Sequence, residues 1–165
     1  MLSGFFLLLG MKYLQLTKEQ LEEFHEEFTL FLASQQIDRK EWVKIKTDKP
    51  EVAEEEVAVF SDLVWNRVLS NVKYLEHISE RTLNLFKCEE SQIFRIVVEV
   101  DKESFNFFDQ EDYNWFIDNS KHSTVQYFKG QKPYRKERNL ELFYLIKKGG
   151  LITKGVLYEG IDKIL

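Results

Sequence analysis

Positively charged and aromatic side chains are interleaved between residues 127 and 138. The segment 129–138 reads KGQKPYRKER and holds five positive charges in ten positions. Because cations attract phosphates and aromatic rings can stack on unpaired bases, this composition is suited to contact with RNA or another polyanion. The glycine and the proline within the segment predict a loop that enters a helix. The candidate polyanion-binding residues are Lys129, Lys132, Arg135, Lys136 and Arg138.

The distribution of charge along the chain limits this hypothesis. The 165 residues carry a formal net charge of −5, which argues against bulk, sequence-independent binding to DNA. Residues 1–120 contain 13 Lys or Arg against 24 Asp or Glu, whereas residues 121–165 contain 10 against 4. No RNA-binding motif accompanies the basic segment, so the alternative is an ordinary solvated loop.

Residues 105–116 are rich in aromatic side chains, which have two interpretations. Most aromatic residues of a protein this size belong to its core. A domain of 165 residues need not bury every ring, however, and exposed Tyr or Trp side chains anchor protein partners. The candidate protein-binding residues are Phe107, Phe108, Tyr113 and Trp115.

Glu22 and His25 have the Glu-x-x-His spacing that places two metal ligands on one helical face in di-iron bundles. Such a site needs a second pair and two more inward carboxylates. Residues 54–56 supply glutamates without a histidine. We therefore expect an ordinary acidic helix surface, with no metal and no other cofactor.

Cys88 is the single cysteine of the chain and is a candidate nucleophile. The negative charges of Glu89 and Glu90 are expected to raise the pKa of its thiol and weaken it. His77 or His122 would have to be brought to it by the fold to act as its base. The chain has no Gly-x-Ser-x-Gly elbow and no glycine-rich phosphate motif. The sequence therefore predicts a protein that is not an enzyme.

Capping signals organise the N-terminal part into helices. Thr17 opens a capping box, and apolar residues at helical spacing then predict a helix over 18–34. Asp38 begins a short helix, and Pro50 lies in the first turn of a long helix that continues to about Asn71. We expect a helical hairpin with a short connecting helix.

Short runs of β-branched and aromatic residues follow, as in an antiparallel meander. Strands are predicted at 74–78, 83–86, 93–100, 105–108 and 124–128. The run 93–100 is the most apolar and should be central, whereas 74–78 could equally extend the long helix. Helices are predicted after Asp109, after Pro133 and after Thr153, the last with Thr153 as its cap.

These elements predict an α+β fold, with an N-terminal helical hairpin layer packed on a small antiparallel sheet and with C-terminal helices. Residues 11–165 should form a single domain, with a helical part at about 17–71 and a mixed part at about 72–165. Residues 1–10 read MLSGFFLLLG and are expected to be a non-native or disordered extension. A short membrane contact or an export signal is the alternative for them.

Three stretches carry a resemblance to a known family. They are MKYLQLTKEQLEEFHEEFTLFLASQQIDRKEW from Met11, KPEVAEEEVAVFSDLVW, and the tail LITKGVLYEGIDKIL. Their texture resembles a family of small bacterial proteins of unknown function, from Met11 onward. The resemblance implies no activity, cofactor or site residue.

The leading functional hypothesis is a non-enzymatic cytoplasmic protein-interaction module that binds a protein partner through its acidic helices and the aromatic cluster. The alternative is an accessory factor that binds RNA or another polyanion through residues 129–138. No membrane contact is expected, because no run approaches the 18 apolar residues of a spanning helix. The sequence gives no indication of oligomeric state.

Overall fold

A computed structural model describes residues 11–165, and the expectation for residues 1–10 lies outside the described residues. The described chain divides into two compact units, residues 11–70 and Asn71–Leu165. The first contains helices and the second contains an antiparallel sheet with further helices, so the predicted α+β class is confirmed.

The first unit is built from four helices that begin where the capping signals predicted. Thr17 and Gln20 form a reciprocal capping box before the first helix, with Thr17 Oγ1 3.2 Å from the Gln20 amide. Asp38 caps the third helix, and Pro50 is the first residue of the fourth. The helices are α1 (Lys18–Glu23), α2 (His25–Ser34), α3 (Arg39–Asp48) and α4 (Pro50–Ser70).

The single helix predicted over 18–34 is wrong, because the backbone is interrupted at Phe24. Phe24 has φ −95° and ψ 23°, and it ends α1 and precedes α2. Its ring packs against the same apolar cluster as the side chains of Leu21 before the break and Phe28 after it. Sequence periodicity indicates this shared apolar stripe but does not reveal the interruption of the helix at Phe24.

Aromatic contacts form the core of the first unit. The Phe28 ring centroid lies 5.0 Å from that of Phe60 and 5.3 Å from that of Trp42. The segment before α1 is held to α4 by side chains, since the amide of Leu16 donates to the hydroxyl of Ser61 at 3.0 Å. Ser61 is fully buried, and its hydroxyl in turn donates to a backbone carbonyl of its own helix.

The second unit contains a five-stranded antiparallel sheet in the order β4-β3-β2-β1-β5. The run 93–100 is interior as expected, but the middle strand is β2. The strands are β1 (Tyr74–Ile78), β2 (Thr82–Cys88), β3 (Gln92–Val100), β4 (Val125–Pro133) and β5 (Leu151–Thr153). The helices are α5 (Gln110–Asp118), α6 (Arg138–Lys147) and α7 (Val156–Asp162).

The two faces of this sheet have different compositions. One face, here called the core face, carries Leu83, Leu85, Ile96 and Val98, which are fully buried against residues of α5 and α7. Because side chains alternate along a strand, the intervening positions lie on the opposite face. This second face, here called the cleft face, carries His77, Asn84, Phe86, Arg95, Val97, Phe128, Gly130 and Lys132.

Two predicted local structures of this unit are wrong, and one predicted strand is longer than expected. Residues 105–108 form irregular structure and a turn rather than a strand, and the side chain of Asn106 accepts from the amide of Phe108 in place of a strand partner. Thr153 ends β5 instead of capping α7, whose N-cap is Gly155 with φ 81°. The strand predicted at 124–128 continues to Pro133.

Candidate functional site

A cleft of about 820 Å³ lies between the cleft face of the sheet and helix α6 with the segment that precedes it. Its volume is in the range of small-molecule and cofactor pockets. Strand residues from β1 to β4 form its floor, and residues 135–148 form the facing wall. The cleft belongs entirely to the second unit.

Strand register brings the polar groups of the floor together. Arg95 in β3 pairs with Phe86 in β2 on one side and with Gly130 in β4 on the other. Its guanidinium donates to the side-chain oxygen of Asn84, with Nε at 3.1 Å, and lies 5.6 Å from the Phe86 ring centroid. Asn84 is itself the register partner of His77 in β1. The alternation of the strands thus places a cationic and amide-bearing surface opposite the apolar core.

Glu141 fixes the wall of the cleft. Its carboxylate accepts hydrogen bonds from the backbone amides of Arg135 and Lys136, the latter at 2.9 Å, and lies 3.9 Å from the ammonium of Lys132. Tyr134 anchors the same segment, because its hydroxyl donates to the carbonyl of Glu89 at 2.9 Å, and burial raises its pKa to about 12. The backbone of this segment is therefore held in place, while the side chains of Arg135 and Lys136 are exposed.

The cleft is cationic although the unit that contains it is neutral. Residues 71–165 contain 15 Lys or Arg and 15 Asp or Glu. Five cations line the cleft, and Glu141 is the only acidic residue of the lining. Within the described chain, no carboxylate lies within 4.0 Å of the charged groups of four of these cations. The fifth cation, Lys132, lies 3.9 Å from the carboxylate of Glu141. The five cations are Arg95, Lys132, Arg135, Lys136 and Lys148.

The cleft brings together three of the five predicted polyanion-binding residues, namely Lys132, Arg135 and Lys136. Lys129 lies on the core face of β4, where its ammonium pairs with Asp162. The loop predicted for residues 129–138 is wrong up to Pro133, because residues 129–133 belong to strand β4. Gly130 and Pro133 are tolerated in β4 because it is an edge strand, where a missing side chain or amide costs little.

Arg138, the fifth predicted residue, is directed at the backbone. Its guanidinium donates to the carbonyls of Val72, Cys88 and Glu89 at 2.5, 3.2 and 3.0 Å. These contacts leave its side chain half-buried at the start of α6. The polyanion role assigned to Arg138 has no support in this geometry, because its donors already hold three strand-end oxygens.

Sequence reasoning missed Arg95 and Lys148, which complete the cationic lining. Arg95 did carry a signal, since it is a charged residue within the apolar run 93–100. Period-two alternation places it opposite to Ile96 and Val98. Lys148 follows the last turn of α6 and becomes part of the cleft only through the tertiary fold.

The predicted protein-binding aromatics have different environments. Phe107 is only 5% exposed and packs in the core with Phe116, at 5.3 Å between ring centroids. Tyr113 and Trp115 are half-buried against the same core. Phe108 is 66% exposed and is the one ring of the four that faces solvent freely. The cluster is therefore mostly core.

Cys88 is buried at the end of β2, and burial raises the pKa of its thiol to about 12. The cause is desolvation rather than the neighbouring glutamates that the sequence suggested, and Arg138 opposes it. In the register of β2, Cys88 lies four residues from the partner of His77, or about 13 Å along the strand. His122 is engaged elsewhere, with Nδ1 2.9 Å from the hydroxyl of Thr124.

Glu22 and His25 lie on either side of the break at Phe24 and line a groove of about 640 Å³ in the first unit. Apolar side chains such as Trp42 and Leu32 form much of that groove. Within residues 11–165, no group of three or more His, Cys, Asp or Glu side chains is placed to hold a metal ion.

Comparison with known proteins identifies the family of this chain but no activity. Of the helices that the structure describes, none has both the length and the apolar composition needed to cross a bilayer. No curated protein and no solved structure matches the chain. The model of a family of unknown function, DUF6495, matches residues 11–165. The chain therefore belongs to the DUF6495 family of proteins of unknown function.

Proposed function

We propose that this chain acts by binding rather than by catalysis, and that its ligand is a phosphate-bearing polyanion held in the basic cleft of the second unit. The observation that carries the proposal is the separation of charge within a neutral unit. Five cations surround the cleft, while the one carboxylate of its lining is bonded to backbone amides. The protonated, buried thiol of Cys88 supports a role without a nucleophile.

The cleft offers a polyanion several simultaneous contacts. An Arg presents a planar fork that matches two phosphate oxygens, and a Lys presents a compact charge. Two unit charges 4 Å apart attract by about 1 kcal/mol in water and by about 4 kcal/mol at the effective dielectric of a protein surface. Because four of the cations have no carboxylate partner in the described chain, a ligand would not have to break an ion pair to reach them.

The test is fluorescence anisotropy with labelled inorganic polyphosphate at 50 and 200 mM salt. Wild type should bind at the lower concentration and weaken at least tenfold at the higher one. The double variant Arg135→Glu/Lys136→Glu should abolish binding, since both side chains are exposed and Glu141 contacts only their backbone amides.

Two further variants separate the cleft from general charge. Lys121→Glu/Lys154→Glu makes the same charge change at exposed lysines outside the cleft and should alter the dissociation constant less than twofold. Glu141→Gln keeps an oxygen acceptor for the amides but removes the negative charge, so binding should tighten about twofold to fivefold. Absence of binding at 50 mM salt, or equal loss in both double variants, refutes the proposal.

A second candidate function is docking of a protein partner, and the exposed ring of Phe108 favours it. The partner would present an apolar pocket surrounded by basic residues. The Phe108 ring precedes α5, whose first turn carries Glu111 and Asp112. An aromatic anchor beside carboxylates fits such a partner. In capture experiments from native extract, Phe108→Ala should lose a protein that wild type retains. Retention of the same proteins by both forms contradicts this function.

A further inference from the structure

An aromatic ring lies beside the basic cleft on the same face of the sheet. Phe128 is 53% exposed and occupies the cleft face of β4, two residues before Gly130 and four before Lys132. Its register partner is Val97 in β3, which is half-buried. The ring is thus an exposed apolar surface that continues directly from a cationic one.

Gly130 leaves an open space between the ring and the cations. A Cβ built at this glycine would meet no atom within 4 Å, so the backbone here is bare and accessible. Adjacent positions on one strand face are about 7 Å apart, and cross-strand neighbours are about 5 Å apart. Gly130 therefore has Phe128 on one side, Lys132 on the other and Arg95 directly opposite.

This arrangement matches the repeating chemistry of an unpaired nucleotide chain. Each nucleotide presents a flat ring and a phosphate a few ångströms away, and proteins bind such chains by stacking bases on aromatic residues beside a positive groove. A simple polyphosphate has no ring for Phe128 to stack on. A duplex has rings whose faces are already covered by neighbouring base pairs.

We propose that the basic cleft binds a single-stranded nucleic acid, with one base stacked on Phe128 over the bare backbone of Gly130. Arg95, Lys132 and Arg135 hold the phosphates next to that base. This inference rests on the proposed polyanion-binding function and names its ligand class. It adds Phe128 and Gly130 as binding residues to a site that the charge pattern alone defines only by its positively charged side chains.

The test compares four labelled ligands by anisotropy: a ten-nucleotide single strand as RNA, the same sequence as DNA, a duplex of it, and inorganic polyphosphate. Both single strands should bind more tightly than the duplex. Equal affinity of RNA and DNA indicates recognition of ring and phosphate alone, and tighter RNA binding identifies RNA as the ligand.

Phe128→Leu keeps an apolar side chain in the strand but removes the stacking surface. It should weaken the single strand about 5- to 150-fold, with polyphosphate changed less than twofold. Phe128→Tyr should restore binding, and Phe108→Leu, the same change at another exposed ring, should have no effect. Gly130→Val suits a β-strand and fills the open space, so it should weaken the single strand at least tenfold.

The two proposals fail in different ways. If polyphosphate binding depends on Arg135 and Lys136 but Phe128→Leu leaves single-strand affinity unchanged, the ligand assignment is wrong and the polyanion function stands. If neither ligand responds to charge reversal in the cleft, both are wrong.

Discussion

Replacing Arg138 with methionine should destabilise the second unit without weakening the proposed binding of a polyanion in the cleft. The guanidinium donates to the carbonyls of Val72, Cys88 and Glu89. Val72 lies just before β1, whereas Cys88 ends β2 and Glu89 follows it. Methionine retains much of the stem but has no donor, so these oxygens lose a charged partner. Arg135→Met is the matched comparison, because that side chain lines the cleft and donates to no backbone carbonyl within the described residues.

The magnitude follows from the number of bonds and their partial exposure. A hydrogen bond from a charged donor contributes about 1.5–3 kcal/mol, and water can replace part of it at a half-buried position. We therefore expect Arg138→Met to lower the free energy of unfolding by about 2–4 kcal/mol. With a urea dependence of about 2 kcal/mol per molar, the midpoint should fall by about 1–2 M. Arg135→Met, a change at an exposed side chain, should stay within about 0.5 kcal/mol of wild type.

The assay is urea unfolding followed by circular dichroism, with amide hydrogen exchange of β2 and β3 as the local readout. Polyphosphate binding is then measured below the unfolding transition of each variant. Arg138→Met should bind like wild type, and Arg135→Met should bind several-fold more weakly. The reasoning is refuted if Arg138→Met unfolds at the wild-type midpoint, or if it weakens binding while still folded.

Three further outcomes follow from individual positions. The pKa of Cys88 is raised from 9.0 to about 12, so its thiol should resist alkylation at pH 8, and rapid labelling of the folded protein would contradict this. Because the folded state holds this proton more tightly than the unfolded state, the free energy of unfolding should fall as the pH rises from about 9 toward 12. Gly155→Ala should lower the melting temperature markedly, because Gly155 has φ 81° and a Cβ there would lie 2.5 Å from the Tyr74 ring. Gly160→Ala, where a Cβ would meet no atom within 4 Å, should be neutral or stabilising. Thr17→Ala removes a capping box and should destabilise the first unit by about 1 kcal/mol in thermal unfolding; no change would show that the cap is dispensable.

Local signals predicted most elements because they act within a few residues. The helix starts after Thr17 and Asp38, and the strands of the meander, follow from capping and from alternation. The break at Phe24 could not be predicted this way, because it reflects how two helices share one apolar cluster. The continuation of β4 through Gly130 required knowing that β3 would supply its hydrogen-bond partner.

The candidate site shows the same division. The basic segment was visible as composition, and three of its five cations do line the cleft. The remaining two were misassigned because charge density does not reveal direction: alternation turns Lys129 to the core face, and backbone carbonyls hold Arg138. Arg95 and Gly130 are 35 residues apart in the sequence, and only the pairing of β3 with β4 brings them together in the cleft.

The neutrality of the second unit has a kinetic consequence. An object with 15 positive and 15 negative residues acts at a distance as a dipole, and the whole chain, at −5, weakly repels an approaching anion. At physiological ionic strength, fields fade over about 8 Å, so the cleft attracts a ligand only at near contact. The proposed polyanion should therefore associate with the cleft without long-range acceleration, at about 10⁵–10⁷ M⁻¹s⁻¹, and its rate of dissociation would set how long it stays bound.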